Sequence, residues 1–194
     1  HSNGPNVRTG YGVQCAQLVT HLKDAGHEPA VSANYGCEGS PHEWNGIRVY
    51  QRGYELNSND LIHLHADHWF GKDPGWIVTL LDVWAMMTPR LADFNVAAWV
   101  PIDHVPVPPG VRAFFSRTGA IPIAMSRFGE RLLHEIGLDP VYIPLSGYTT
   151  VFKPTPTVLH EGREVTARQL HDIDDDVFLV GMVAMNKGWA RDRK

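Results

Sequence analysis

Short, almost continuous apolar runs recur along the chain between turn-forming residues, and they restrict its fold more than any other feature. Each run has the length of a β-strand, and it does not alternate cleanly between apolar and polar residues. Strands lose that alternation when both faces of a sheet are covered, as in parallel sheets flanked by helices. The predicted strands are 29–33, 47–50, 61–64, 76–81, 96–102, 121–125 and 141–144.

Two amphipathic helices are predicted between these strands. In the first, apolar residues from Cys15 to Leu22 recur at helical spacing, and Gly26 ends the helix. In the second, Ser126 is the predicted N-cap and Gly137 closes the helix. The interleaved strands and helices predict a Rossmann-like, doubly wound α/β domain with a mostly parallel sheet.

The pattern changes after residue 152, where prolines and polar residues replace the apolar runs as far as 164. A short helix at 165–170 and an apolar strand at 177–184 are predicted beyond it. We therefore predict one domain at 1–154, and at 155–194 a linker followed by the first strand of a second Rossmann-like domain. The chain begins at His1 and stops soon after that strand, so it is expected to be a piece of a longer protein.

Charge and hydropathy exclude several classes of function. The net charge of −4 argues against a large nucleic-acid interface. No apolar run approaches the roughly 18 residues that span a bilayer, and no signal segment opens the chain. We expect a cytoplasmic protein that acts on small molecules, which is compatible with peripheral membrane contact. Cys15 and Cys37 are predicted to be buried free thiols.

The segment Gly10, Tyr11 and Gly12 stands at the predicted start of the first helix. Glycines let a backbone approach a ligand closely, and the free N–H groups of a helix start attract phosphate. A tight turn without a ligand would use the same residues. Such a loop in a Rossmann-like unit follows a strand, and only residues 1–8 precede it, so the first strand is expected to be missing.

Polar residues follow two of the predicted strands. Asp82 comes after the run 76–81, and Asp103 and His104 come after 96–102. In an open α/β sheet, ligands bind beyond the carboxyl ends of the strands, so these side chains are candidates for a cleft. The alternative is that each merely caps a neighbouring loop.

A histidine-rich motif provides a second hypothesis from another class of enzyme. His63, His65, Asp67 and His68 match the HxHxDH spacing of metallo-β-lactamase-like zinc hydrolases, and they follow a predicted strand. Zinc bound there would lower the pKa of a water to about 7 and so generate hydroxide. The further metal ligands of that superfamily have no clear counterpart downstream. Loop or cleft polar groups are the alternative interpretation.

Taken together, several stretches resemble the N-terminal, acceptor-side domain of family-4 retaining glycosyltransferases of the GT-B fold. The resemblance extends over about residues 5–185. The stretches that carry it are 9–14, 18–27, 77–84, 99–109, 122–129 and 180–184.

The resemblance implies two Rossmann-like domains that face a cleft, with a nucleotide-diphosphate sugar held mainly by the C-terminal one. It implies transfer with retention of configuration, with no cofactor or metal ion required. The acceptor would be a small molecule, a glycan or a lipid. The glycine loop would lie near the donor diphosphate and the acceptor, which assigns Gly10 and Gly12 to the donor and Tyr11 to the acceptor.

The resemblance also suggests roles for residues elsewhere. His104 would contact the transferred sugar. We hypothesise that either Asp82 or the loop at Gly10 positions the acceptor hydroxyl. Lys187 and Lys194 are the candidates for binding the diphosphate. The remaining acceptor-side candidates are Asp103, Ser126 and Arg127.

The chain departs from the family pattern in three places. The segment 144–152 differs from the usual interdomain motif, and the basic candidates follow Asn186 rather than a Gly-Arg pair. The paired-glutamate element that holds the donor sugar and ribose in this family is absent. The chain by itself is therefore expected to be inactive, and a non-catalytic sugar- or nucleotide-binding remnant is a third hypothesis.

Overall fold

A computed structural model of the chain describes residues 1–182. The chain divides into two compact units, His1–Ser146 and Gly147–Lys194. This division falls before the predicted domain boundary at 154–155.

The first unit is an α/β structure built from eight strands, four α-helices and three short 3₁₀ helices. Among residues 1–182, no helix is long and apolar enough to cross a membrane. The strands are β1 (Ser2–Asn3), β2 (Ala30–Tyr35), β3 (His42–Trp44), β4 (Ile47–Tyr50), β5 (Trp76–Leu80), β6 (Asn95–Val100), β7 (Ile121–Ala124) and β8 (Val141–Tyr142). The helices are α1 (Gly10–Asp24), α2 (Ile62–Phe70), α3 (Pro109–Thr118) and α4 (Arg127–Glu135).

The strands form two four-stranded sheets that meet at β1. One sheet has the order β1-β2-β4-β3, in which only β3 is antiparallel to its neighbour. The other has the order β5-β6-β7-β8 and is parallel throughout. The backbone of His1 joins them, since the Leu80 N–H donates to the His1 carbonyl at 2.9 Å. The prediction of an α/β fold with a mostly parallel sheet is confirmed.

Strand β6 shows why the apolar runs are continuous. It lies between β5 and β7, and its last five residues, 96–100, are all buried. Alternate residues of a strand face opposite sides of the sheet, so burial of consecutive residues requires cover on both sides.

Cys15 and Cys37 are buried free thiols, as predicted.

One predicted strand is wrong. The run 61–64 lies at the start of helix α2, whose buried residues Ile62, His65 and Ala66 follow the i, i+3, i+4 spacing. A window of four apolar residues is too short to separate a strand from a buried helix. The other six predicted strands are confirmed, with ends that differ by one or two residues.

The first strand is not wholly missing, contrary to the prediction. Ser2 and Asn3 form β1, which pairs in parallel with β2 through Ser2 opposite Ala33 and Asn3 opposite Tyr35. A two-residue strand carries too little pattern to be recognised in sequence, so only its partners reveal it.

The second unit, described as far as residue 182, contains a hairpin and one short helix. Strands β9 (Val158–His160) and β10 (Arg163–Val165) pair antiparallel, and α5 (Ala167–Leu170) follows. Thr166 caps α5 as part of a capping box with Gln169. Residues 177–182 of the predicted strand 177–184 form no strand, because no described strand pairs with them; residues 183–184 lie outside the described residues.

We predict that replacing Thr9 by alanine destabilises the first unit by about 1 kcal/mol. The Thr9 hydroxyl accepts a hydrogen bond from the Gly12 N–H at 3.0 Å and another from the Asn3 side-chain amide at 2.8 Å. Urea unfolding followed by circular dichroism measures the change. Thr20→Ala, on the exposed side of the same helix, is the matched control and should change stability by less than about 0.5 kcal/mol. Equal losses in both variants would contradict the capping role.

Candidate functional site

The carboxyl ends of β5, β6 and β7 meet at one edge of the parallel sheet, and polar residues follow each of them. Asp82 follows β5, Asp103 and His104 follow β6, and Ser126 follows β7. Parallel strands bring these positions to the same side by their geometry.

A cavity of about 340 Å³ opens at this edge, and we call it the strand-tip crevice. Three of the predicted site residues line it, namely Asp82, Asp103 and His104. The rest of its wall consists of Trp84, Pro101, Ile102, Pro108 and Val111.

Tyr11 lies close enough to this crevice to interact with its charges. Burial raises the pKa of the Tyr11 hydroxyl to about 12, and the carboxylates of Asp82 and Asp103 add to the effect. The ring packs against the apolar core that includes Ile102 and Val111. The start of α1 therefore lies beside the ends of β5 and β6.

Asp82 has a pKa above its usual range. Partial burial is the main cause, and the charge of Asp103 adds to it, while hydrogen bonds with Trp84 and with its own backbone N–H act in the opposite direction. A carboxylate held in this way is a stronger base than one in water, so the crevice contains a potential proton acceptor.

The raised pKa of Asp82 predicts a pH-dependent gain in stability when the charge is removed. An acid whose pKa is higher in the folded state binds more protons when folded, so stability falls as pH rises through that folded pKa. Asp82→Asn is therefore expected to be more stable than the wild type at pH 7 and equal to it near pH 3, as measured by urea unfolding. Asp73→Asn, on an exposed loop, is the control. A variant less stable than wild type at pH 7 would contradict this account.

His104 and Asp103 form a local pair at the rim of the crevice. The His104 Nδ1 contacts the Asp103 carboxylate, and both side chains are more than two thirds exposed, at 70% and 78%. The carboxylate orients the imidazole and leaves Nε2 free of that contact. The pair is thus accessible to a ligand that enters from solvent.

The two glycines at the start of α1 have different structural roles. A Cβ on Gly12 would lie 2.3 Å from the Val7 carbonyl oxygen, so packing of the preceding loop explains that glycine without a ligand. A Cβ on Gly10 would meet nothing within 4 Å. The N–H groups of Gly10 and Tyr11 precede the first bond of the helix, which Val13 donates to Thr9. They are the donors at this helix start that a ligand could use.

Ser126 and Arg127 have structural partners of their own. The Ser126 hydroxyl caps α4 by accepting from the Gly129 N–H at 3.0 Å. The Arg127 guanidinium bonds Glu130 and lies 3.8 Å from the centre of the Tyr142 ring. Their predicted part in acceptor binding stays a prediction, and these contacts account for both residues without it.

The histidine motif does not form a cluster. Helix α2 carries all four residues, and positions two apart on a helix face different directions. His65 Nδ1 lies 2.9 Å from the Ser32 hydroxyl, His68 Nδ1 lies 2.6 Å from the Tyr50 hydroxyl, and Asp67 pairs with Arg90. Within residues 1–182, no group of three or more His, Cys, Asp or Glu side chains is placed to hold a metal ion. His63 and the rest of the motif instead belong to a helix packed on the sheet.

Sequence reasoning missed part of the crevice wall, although signals for it existed. Helix α3 was not predicted, yet its buried residues Val111, Phe114, Phe115 and Thr118 follow the i, i+3, i+4, i+7 spacing. Pro109 at its start and Gly119 at its end are ordinary helix boundaries. Trp84 is 53% exposed. The sequence signal that could have identified it as a crevice residue is its position two residues after Asp82.

Lys187 and Lys194, the predicted diphosphate-binding residues, lie outside the described residues. Comparison with models of protein families, with curated proteins and with solved structures gives no match. The proposed function therefore rests on the arrangement of the residues that line the crevice.

Proposed function

We propose that the first unit is the acceptor-side domain of a GT-B retaining glycosyltransferase, and that the strand-tip crevice receives the acceptor and the donor sugar. The donor would be a nucleotide-diphosphate sugar held mainly by a second domain. The observation that carries this proposal is the geometry of the crevice, which Asp82, Asp103 and His104 line from the ends of two neighbouring strands. Tyr11 of α1 packs against the apolar cluster that contains its wall residues Ile102 and Val111.

The composition of the crevice favours a polyol ligand. Carboxylates accept hydrogen bonds from sugar hydroxyls, and the half-exposed Trp84 offers an apolar face against which a sugar ring can pack. A volume of about 340 Å³ is within the range of small-molecule sites. The mostly parallel α/β structure is compatible with a Rossmann-like domain, which supports the proposal at the level of the fold.

The residues would act by positioning and by proton transfer. His104, held by Asp103, would orient the donor sugar, and Asp82 would accept a hydrogen bond from the acceptor hydroxyl. As the bond to the leaving nucleoside diphosphate breaks, negative charge grows on the β-phosphate. The Gly10 and Tyr11 N–H groups at the start of α1 would help to stabilise that charge.

A thermal-shift screen of the full-length protein against nucleotide-diphosphate sugars tests the proposal. A ligand present at 100 times its Kd stabilises a protein by about 2.7 kcal/mol, which shifts the melting temperature measurably. We expect one nucleotide sugar to raise the melting temperature more than its free nucleoside diphosphate does. If no nucleotide sugar shifts it, a donor-binding function is contradicted.

A further inference from the structure

The wall of the strand-tip crevice combines negative charge with an apolar surface. Asp82 and Asp103 both line it, and none of the described residues in the wall is a lysine or an arginine. Apart from His104, the rest of the wall is apolar. A ligand in the crevice therefore meets two carboxylates and no permanently charged cation of the first unit.

The two carboxylates differ in what they contact. Asp103 is paired with His104 through Nδ1 of the imidazole. Asp82 forms no ion pair with any residue in the range 1–182, and its hydrogen bonds come from Trp84 and from its own backbone N–H. Partial burial and the charge of Asp103 together hold the pKa of Asp82 above its usual range. A cation beside Asp82 would offset both effects.

Trp84 places an aromatic surface beside this carboxylate. Its indole is 53% exposed, and its side chain forms a hydrogen bond with Asp82. A Cβ on Gly110 would lie 2.9 Å from the Trp84 Cβ, so the start of α3 packs directly against the base of this side chain. The apolar body of the indole keeps water from one side of Asp82, and an ion pair is stronger where less water surrounds it.

We propose that the acceptor bound in the crevice is an amino alcohol whose amine lies on the carbon next to the reacting hydroxyl, as in an amino sugar or an aminocyclitol. This inference rests on the proposed function, because it names the substrate class of the acceptor side. The ammonium would donate to one oxygen of Asp82 and the hydroxyl to the other, since an ionised carboxylate accepts hydrogen bonds at both oxygens. The bond from the ammonium is the stronger one, because both of its partners are charged.

Other ligand classes fit the wall less well. A phosphate or a carboxylate would add a third negative charge beside Asp82 and Asp103. A neutral polyol would leave the charge of Asp82 without a cation. A divalent metal ion would supply one, but within residues 1–182 no group of three or more His, Cys, Asp or Glu side chains is placed to hold it.

The first test compares three sugars with the same ring in the full-length protein: methyl glucosaminide, its N-acetyl derivative and methyl glucoside. Binding is followed by NMR through the indole N–H signal of Trp84, which is assigned by its loss in Trp84→Phe. We expect the amine to bind roughly tenfold tighter than either neutral sugar, the usual effect of one charge-assisted hydrogen bond. Butylamine, which has the charge but no hydroxyl, should bind no better than the glucoside.

The second test removes the charge of Asp82 with little change of shape. In Asp82→Asn, the glucosaminide is expected to lose its tenfold advantage and to bind like the glucoside. Asp73→Asn, on an exposed loop, is the matched control and should keep the full preference. This control also separates the crevice from a general attraction of amines to a protein of net charge −4.

Three results would overturn the proposal. They are equal affinities for the three sugars, a preference for the amine that survives in Asp82→Asn, and a Trp84 signal that millimolar glucosaminide does not shift. Sugar transfer is tested separately. If the preference depends on Asp82 but no nucleotide sugar binds, the proposed function fails and the amino-alcohol site stands. If sugar is transferred to neutral polyols and not to amines, the proposed function stands and this inference fails.

Discussion

Replacing Phe114 by alanine is expected to destabilise the first unit by about 3–5 kcal/mol, the usual range for truncating a fully buried phenylalanine. Phe114 is 1% exposed, and it lies in the main apolar cluster together with Leu91 and Val100. Its ring also meets Phe115 edge-on, with the ring centres 5.4 Å apart. Removing it leaves a cavity where α3 packs beneath the crevice. Urea unfolding followed by circular dichroism measures the loss.

Phe128→Ala provides the matched control, because Phe128 is on a helix of the same unit but is 41% exposed. We expect that variant to lose less than about 1 kcal/mol. If Phe114→Ala were as stable as Phe128→Ala, helix α3 would not be packed as described, and the wall of the crevice would need another explanation.

Under the proposed function, replacing His104 by alanine in the full-length protein is expected to lower turnover about a hundredfold, the range that positioning of a substrate contributes. The imidazole is held by Asp103 at the rim of the crevice and does not support the core. The melting temperature should therefore stay close to that of the wild type. Steady-state rates of nucleoside diphosphate release, measured with kcat and KM separated, check this expectation.

His27→Ala is the control for that experiment, because His27 is exposed in the turn after α1, far along the chain from the strand tips. Its turnover should match that of the wild type. Unchanged turnover in His104→Ala would remove His104 from the proposed mechanism, and loss of stability in that variant would show a structural role instead.

The strands of the parallel sheet β5-β6-β7-β8 were predictable because burial on both faces requires apolar residues at consecutive positions. The run 96–102 is continuously apolar for the same reason that β6 is buried from Val96 to Val100. Helix α2 was missed because Ile62, His65 and Ala66 show helical spacing only when the window extends past the four residues of 61–64.

Turns and edges were harder to predict, although some of their signals were present. Asn45 and Gly46 have positive φ angles of 51° and 69° and connect β3 to β4, as Asn-Gly pairs do in two-residue hairpin turns. Strand β1 had no such signal. Its two residues are held in place by β2 and β5, which are far away in sequence.

The candidate site was predictable in position but not in shape. Strand ends in a parallel sheet gather at one edge whatever the side chains are, so Asp82 and Asp103 could be placed together from the sequence. Trp84 and helix α3 complete the crevice through tertiary packing, which local patterns do not report. The close packing of Gly12 against Val7 could not be predicted either. A helix start that contains glycine has the same sequence pattern whether it binds a ligand or only packs tightly.

The most direct measurement is the transfer reaction itself. The full-length protein is incubated with the nucleotide sugar that stabilises it and with a panel of polyol and glycan acceptors, and the product is analysed by NMR. We predict a glycoside that keeps the anomeric configuration of the donor, formed by the wild type and lost in the variant carrying both Asp82→Asn and His104→Ala. A product of inverted configuration, or full activity in the double variant, would contradict the assignment of sugar transfer to the strand-tip crevice.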